Sequence, residues 1–155
     1  TGILWQNRGS SFSLHEKDVN ALAPGRKPFH TLNPAMAEYS DGGILCYGTM
    51  GGEGQPQTQG LIYSRHVNFG QSIQEAISAP RFLLGRTWGD METNLKMESR
   101  FDIELVAQLE KAGHDIDLVD PFSNLMGHAG AVSLRSDGMM EGGADPRADG
   151  KAVGI

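Results

Sequence analysis

Cysteine is nearly absent from this sequence, since Cys46 is the single one among 155 residues. One cysteine excludes an internal disulfide, and scattered histidines beside it do not complete a structural zinc site. No two histidines stand at metal-ligand spacing on a convincing helix, so we expect neither a metal nor a cofactor. The histidines in question are His15, His30, His66, His114 and His128. These features do not fix the cellular compartment, and of the alternatives we favour the cytoplasm.

Long hydrophobic runs and clusters of positive charge are also missing. The longest apolar run, residues 44–47, is far shorter than the roughly 20 residues that cross a bilayer. Thirteen Lys and Arg face 19 Asp and Glu, which gives a net charge of -6 without any basic run. Because a phosphate backbone requires a basic surface, we expect no nucleic acid partner. Because no apolar run is long enough to cross a bilayer, we expect no membrane partner. The length predicts one soluble domain over residues 1–155.

Glycine, in contrast, is abundant, and turn signals separate short apolar runs. Residues 35–39 and 44–49 predict two strands joined by a tight turn at residues 41–43, and residues 2–5 predict a further strand. The run at 44–49 has no polar alternation, which predicts burial on both faces and places Cys46 in the core.

Three helices and a second hairpin complete the predicted elements. Helices are expected from Pro56 to near Gly70, over residues 72–78, and over residues 99–112 with Ser99 and Asp102 as a capping box. A hairpin is expected at residues 131–140, with Met139 and Met140 in the core. Because hairpins dominate and strands do not alternate regularly with helices, we predict an α+β fold with a mainly antiparallel sheet.

The glycine cluster at residues 48–54 is the strongest local signal for chemistry. It lacks the Lys-Ser/Thr of a P-loop, and Gln57 stands where a dinucleotide fingerprint requires its third glycine. Two interpretations remain open. Gly51 and Gly52 could present backbone N–H groups to a developing oxyanion, or the cluster could be a tight turn alone.

Several longer segments occur in a recognisable order along the whole chain. They are residues 2–7 (GILWQN), 12–13, 20–28 (NALAPGRKP), 51–52, 73–76, 79–82 (APRF), 113–114, 143–147 (GADPR) and 149–154 (DGKAVG). On these segments the chain resembles the small subunit of the γ-glutamyltranspeptidase family. The stretches around residues 6–14 and 50–53 are more similar to the branch related to cephalosporin acylases and transpeptidase-like proteins.

The resemblance implies an amino-terminal-nucleophile hydrolase with a four-layer αββα sandwich. Such a zymogen cleaves itself into a large and a small subunit, and the small subunit starts with the catalytic threonine. Thr1 has the residue type of such a nucleophile, but Thr1-Gly2 does not match the usual start. We therefore expect residues 1–155 to be the carboxy-terminal part of the small subunit. Its expected partners are the large subunit and the amino-terminal part of the small subunit. The sequence leaves open whether these subunits assemble into a higher oligomer.

The resemblance also implies roles for individual residues. Gly51 and Gly52 match the glycine pair whose amides form the oxyanion hole. Where γ-glutamyl-specific members bind the α-amino group of the substrate, this chain has Arg8 and Ser11.

His30 and Thr31 stand where those members have a serine pair for the α-carboxylate of the substrate. We predict that Arg8, Ser11, His30 and Thr31 bind substrate, and the guanidinium of Arg8 suits a carboxylate. The expected function is that of an amide hydrolase or acyltransferase acting on a small-molecule amide, with glutathione metabolism as the family context. The alternative is a degenerate, non-catalytic member that serves binding or assembly.

Overall fold

The computed structural model describes residues 7–86 and 91–154. Thr1 and the strand predicted at residues 2–5 lie outside the described residues. The chain forms two compact units, one up to Leu32 and one from Asn33 onwards. The smaller unit holds a 3-10 helix, Arg8–Ser11, and an isolated parallel bridge between Ser13 and Ala21.

The larger unit contains strands and helices in mixed order. The strands are β1 (Ala35–Glu38), β2 (Ile44–Thr49), β3 (Phe82–Leu84), β4 (Leu95–Glu98), β5 (Ile116–Val119), β6 (Ala129–Leu134) and β7 (Met140–Ala144). The α-helices are α1 (Gln55–Tyr63), α2 (Ile73–Ser78) and α3 (Ile103–Lys111). A π-helical turn, Ser64–Asn68, prolongs α1, and 3-10 turns occupy Gly52–Gly54 and Asn124–Met126.

Two sheets organise these strands. The larger sheet has the order β1-β2-β6-β7 with antiparallel neighbours throughout. The smaller sheet has the order β3-β4-β5, in which β3 pairs antiparallel and β5 pairs parallel with β4. The predicted α+β class with mainly antiparallel strands is confirmed. The sequence pattern did not predict the smaller sheet.

Helices α1 and α2 cover one face of the larger sheet. Leu45 from β2 and Ala131 from β6 pack against Ile62 of α1 and against Ile73 and Ile77 of α2. A second apolar cluster, built on Leu95, Met97 and Val106, joins α3 to the smaller sheet. Burial of apolar surface therefore holds one helical layer on each sheet.

Capping residues explain where the two later helices begin. The Ser72 hydroxyl accepts from the Glu75 N–H and the Glu75 carboxylate accepts from the Ser72 N–H, which is a complete capping box. The helix predicted from Ser99 starts at Ile103 instead, with Asp102 as its N-cap. The reason is that the Ser99 N–H donates to the Val119 carbonyl, so Ser99 extends the smaller sheet.

Burial on both faces of β2 is a wrong prediction. Leu45 is fully buried, but Cys46 is exposed, because successive side chains of a strand point to opposite faces and the helices cover only one of them. The core positions expected for Met139 and Met140 are also wrong, since these side chains are 63% and 74% exposed. They flank the β6–β7 turn, where helices α1 and α2 do not cover them.

Candidate functional site

The glycine-rich loop at residues 50–54 connects β2 to α1. Gly51 and Gly52 both have positive φ angles, 134° and 53°. Residues with a side chain rarely adopt such angles, whereas glycine does so readily. The Gly51 carbonyl accepts from the Gly54 N–H at 2.9 Å and closes the turn. Pro56 lies in the first turn of α1, as its fixed φ favours.

The hydrogen bonds of this turn do not use the amide groups of Gly51 and Gly52. Within residues 7–86 and 91–154, neither the Gly51 nor the Gly52 N–H donates to a protein acceptor. Two adjacent N–H groups in a tight turn ahead of a helix can bind an anion or a developing oxyanion. The geometry is therefore that of an oxyanion-hole candidate.

A cavity of about 760 Å³ opens beside Gly51. Met50 and Gly51 form one wall, and residues 120–125 form the other. Phe122 in that second wall has a φ of 56°, which a bulky residue rarely adopts. The Arg100 guanidinium lies 3.7 Å from the centroid of the Phe122 ring, so a cation–π contact holds this strained residue. The cavity places space for a small molecule next to the candidate oxyanion hole.

A buried ion network lies between the two sheets of the larger unit. The Arg147 guanidinium binds both carboxylate oxygens of Glu98 at 2.7 Å, and the Arg81 Nη1 lies 2.7 Å from the Asp145 Oδ2. Arg147 also reaches Asp145 Oδ1 at 3.0 Å, which joins the two pairs. All four side chains are at most 1% exposed. Among the described residues, the buried Arg81 Nε is left without a hydrogen-bond partner. The other bonds of the two pairs offset part of the cost of removing four charges from water.

The pKa values of these groups reflect the network. Burial raises the pKa of Asp145, but the Ala129 N–H and the Arg81 charge outweigh this effect, so its pKa lies below the usual value. Burial likewise raises the pKa of Glu98, and bonds from Arg147 and other donors lower it further than burial raises it. Burial lowers the pKa of Arg81 to about 10. Burial lowers the pKa of Arg147, but Glu98 and Asp145 raise it by more, so its pKa lies above the usual value. All four groups are therefore charged at neutral pH.

The four predicted substrate-binding residues lie in the smaller unit. Arg8 Nη1 donates to the Thr31 hydroxyl at 3.0 Å, so the structure brings these two residues together. His30 accepts from the Leu32 N–H through Nδ1 at 3.1 Å. Ser11 ends the 3-10 helix that begins at Arg8. Among the described residues, the Arg8 guanidinium donates to Thr31 and Asn7, and not to the side chains of Ser11 or His30.

Two further features bear on the remaining predictions. In the described parts of the chain, no group of three or more His, Cys, Asp or Glu side chains is placed to hold a metal ion. Among the same residues, no helix has the length and apolar character that crossing a membrane requires.

Sequence reasoning assigned no role to the buried network or to Gly127. Residues 81 and 145–147 belong to segments that carry the family resemblance, but their spacing alone does not predict an ion network.

Comparison with known proteins identifies the family. The sequence profile described as Gamma-glutamyltranspeptidase matches residues 1–155, and the chain belongs to this family. It is 52% identical over 99% of its length to the oxamate amidohydrolase proenzyme of Klebsiella pneumoniae. It is 49% identical over its full length to the glutathione hydrolase-like YwrD proenzyme of Bacillus subtilis. The resemblance stated from the sequence segments is thereby confirmed.

Solved structures agree with this assignment. The cephalosporin acylase of Bacillus halodurans matches 97% of this chain with a TM-score of 0.68 and 28% identity, and the match covers 27% of that chain. This likeness supports both the fold class and the branch indicated by the sequence. The chain spans 29% and 30% of the lengths of the two curated relatives, both of which are named as proenzymes.

Proposed function

We propose that this chain is the carboxy-terminal part of the small subunit of a self-processing amide hydrolase or acyltransferase. The nucleophile is a threonine upstream of the described residues, supplied by the same precursor. Its hydroxyl attacks the amide carbonyl, the amine leaves, and water or another amine releases the acyl group from the threonine ester.

Gly51 and Gly52 serve the step at which charge develops. When the carbonyl carbon becomes tetrahedral, its oxygen carries a negative charge, and the two N–H groups donate to that oxygen. Donors fixed in place before the reaction stabilise this charge without reorganisation, and loss of one such donor lowers kcat by about 10²–10³. The observation that carries the proposal is this glycine pair, whose two N–H groups have no acceptor among the described residues, in a chain of this family.

The exposed face of the larger sheet supports association with other parts of the precursor. Met36, Cys46 and Val132 lie opposite one another across β1, β2 and β6. All three are exposed, with Met36 at 73% and Val132 at 50%. An apolar stripe of this kind is usually covered by another layer. We assign it to contact with the remainder of the small subunit or with the large subunit, as in a four-layer sandwich.

The substrate is proposed to be an amide whose acyl group carries a carboxylate. Arg8 offers a planar guanidinium that suits a carboxylate, and Thr31 holds it through the bond described above. The similarity to a protein named for oxamate supports this class, because oxamate is an amide that bears a carboxylate. Ser11 and His30 are proposed to contact the same substrate.

The first experiment uses the full-length precursor that contains this chain. Purified protein is incubated with oxamate, a glutaryl amide and a γ-glutamyl amide, and the release of ammonia or amine is measured. We expect turnover that disappears when the threonine at the start of the small subunit is replaced by alanine. Absence of turnover on the whole panel from a correctly cleaved protein would favour the non-catalytic alternative.

The specificity proposal has its own test. Arg8→Gln should raise KM for carboxylate-bearing acyl amides and leave the cleavage into subunits intact. Arg135→Gln removes an exposed guanidinium of the larger unit and serves as the control. Glutaryl and γ-glutamyl amides both carry a carboxylate and differ by the α-ammonium group of the latter. A marked preference of the unsubstituted enzyme for the γ-glutamyl amide over the glutaryl amide would count against the role given to Arg8, because a guanidinium repels an ammonium group.

A further inference from the structure

Gly127 lies directly against the loop that carries Gly51. Its φ is 76°, and a Cβ built on Gly127 would collide with the Met50 carbonyl oxygen and lie 2.7 Å from the Thr49 hydroxyl. A Cβ built on Gly51 would lie 3.6 Å from the Gly127 Cα, so the two backbones approach closely from both sides. Any side chain at position 127 would push on the Met50 carbonyl.

The Met50 carbonyl and the Gly51 N–H belong to one peptide unit. Because a peptide bond is planar, a push that rotates the carbonyl also turns the N–H on its other side. The Thr49 hydroxyl donates to the Met50 carbonyl at 2.8 Å and fixes the same unit. Two features, the space left by Gly127 and this hydrogen bond, therefore set the direction of the Gly51 N–H.

Gly127 is itself held from the buried side of the fold. Arg81 Nη1 donates to the carbonyls of Met126 and Gly127 at 3.2 Å each, while it pairs with Asp145. On the other side of this turn, the Met50 N–H donates to the His128 carbonyl at 3.3 Å. The position of Gly127 is thus defined by bonds that do not depend on a ligand.

We propose that Gly127 is a positioning residue, which keeps the Met50–Gly51 peptide oriented so that the Gly51 N–H faces the reacting carbonyl oxygen. The proposal rests on the oxyanion-hole function of Gly51 stated above. Gly127 touches no substrate in this scheme and acts through the peptide unit alone. Its loss should therefore affect the transition state more than the binding of substrate.

The test is Gly127→Ala in the full-length precursor, with Gly138→Ala as the matched control. Gly138 has a similar φ of 83°, but a Cβ built there meets nothing within 4 Å. Both substitutions strain the backbone, and only the first presses on the Met50 carbonyl. We expect Gly127→Ala to lower kcat by about 10²–10³ with KM little changed, as for loss of one oxyanion donor. Gly138→Ala should keep kcat.

A second pair of variants covers the case in which Gly127→Ala does not mature. Thr49→Val removes the hydroxyl that bonds the Met50 carbonyl and keeps the shape of the side chain. Thr49→Ser keeps the hydroxyl. We expect Thr49→Val to lower kcat by about 10-fold, the loss of roughly one hydrogen bond, and Thr49→Ser to recover most of it. Cleavage into subunits, measured by intact mass, normalises every rate to mature enzyme.

Two outcomes would overturn the proposal. One is a mature Gly127→Ala enzyme whose kcat equals that of Gly138→Ala. The other is a set of equal kcat values for Thr49→Val and Thr49→Ser. Both leave the proposed function intact, because the unsubstituted enzyme still turns over. If the unsubstituted mature enzyme shows no turnover, the proposed function itself fails, and the positioning role fails with it.

Discussion

Replacement of Asp145 by asparagine tests the buried ion network with a change of only one atom type. The carboxylate accepts from the Ala129 N–H at 2.6 Å and from Arg81 at 2.7 Å through Oδ2, and twice from Arg147 at 3.0 Å through Oδ1. An asparagine has one acceptor oxygen and one donor nitrogen. Its NH2 group must face donors on one side or the other.

The cost of Asp145→Asn follows from what remains buried. Arg81, whose side chain is 0% exposed, would lose its charge partner, and at least two N–H donors would lose an acceptor. Breaking a buried pair in this way destabilises by about 3–5 kcal/mol, and each unsatisfied donor accounts for about 1–3 kcal/mol of that. We expect a loss of about 3–5 kcal/mol in the free energy of unfolding.

The matched control is Asp137→Asn. Asp137 pairs with Arg135 at 2.8 Å, but the side chains are 49% and 64% exposed, so solvent screens the charges. This pair should contribute less than about 1 kcal/mol. Both variants make the same change of Asp to Asn, so a difference in their unfolding free energies reports the effect of burying the ion pair.

The assay is urea unfolding of the mature protein, followed by circular dichroism. The shift of the midpoint multiplied by the slope m gives the change in unfolding free energy. Asp145→Asn within about 1 kcal/mol of the unsubstituted protein, or no different from Asp137→Asn, would refute the reasoning.

Two further predictions concern acid and packing. Because the folded-state pKa values of Asp145 and Glu98 lie below the ordinary 3.8 and 4.5, the stability they contribute is complete above those values. This stability is lost as the pH falls through the lowered pKa values. Urea midpoints measured over a pH series should therefore fall less steeply towards acid pH in Asp145→Asn than in the unsubstituted protein. Gly143→Ala would place a Cβ 2.6 Å from an isoleucine side chain of α2, so we expect a loss of about 1–3 kcal/mol in the same assay. Gly60→Ala meets nothing within 4 Å, and an equal loss in that variant would contradict the packing argument.

Local patterns predicted the elements whose causes are local. The turn at residues 41–43 and the apolar runs beside it gave the β1–β2 hairpin, and the helix expected over residues 72–78 is α2. The capping box expected at Ser99 and Asp102 is wrong, since Asp102 is itself the N-cap of α3. The fold class followed from the dominance of such hairpins. Solvent exposure of Cys46 could not be read locally, because it depends on which face α1 and α2 cover.

The smaller sheet has causes that are not local. Its central strand β4 has the sequence Leu-Lys-Met-Glu, which alternates as a half-exposed strand would. All four residues are nevertheless buried, because Lys96 binds the Asn94 side chain at 2.7 Å and Glu98 binds Arg147, 49 positions away. A partner that distant in the sequence leaves no periodic signal.

The candidate site divides in the same way. Gly51 and Gly52 stand out because glycines cluster between a strand and a proline-started helix. The contact from Gly127 does not stand out, since it depends on how β2 and β6 lie side by side, with Thr49 paired to Ala129. The roles of Arg8, Ser11, His30 and Thr31 stay predictions from the family pattern.

The buried network connects the two sheets to the candidate oxyanion loop. Glu98 ends β4 in the smaller sheet, and Asp145 follows β7 in the larger one, so the Arg147 bonds to both carboxylates fix one sheet against the other. Apolar residues could fill this space at equal or lower cost, but they would not donate hydrogen bonds in defined directions. Arg81 uses that directionality, because the guanidinium that pairs with Asp145 also holds the Gly127 carbonyl. The charges therefore serve to place one turn of backbone accurately, and the orientation of the Met50–Gly51 peptide is the property that depends on it.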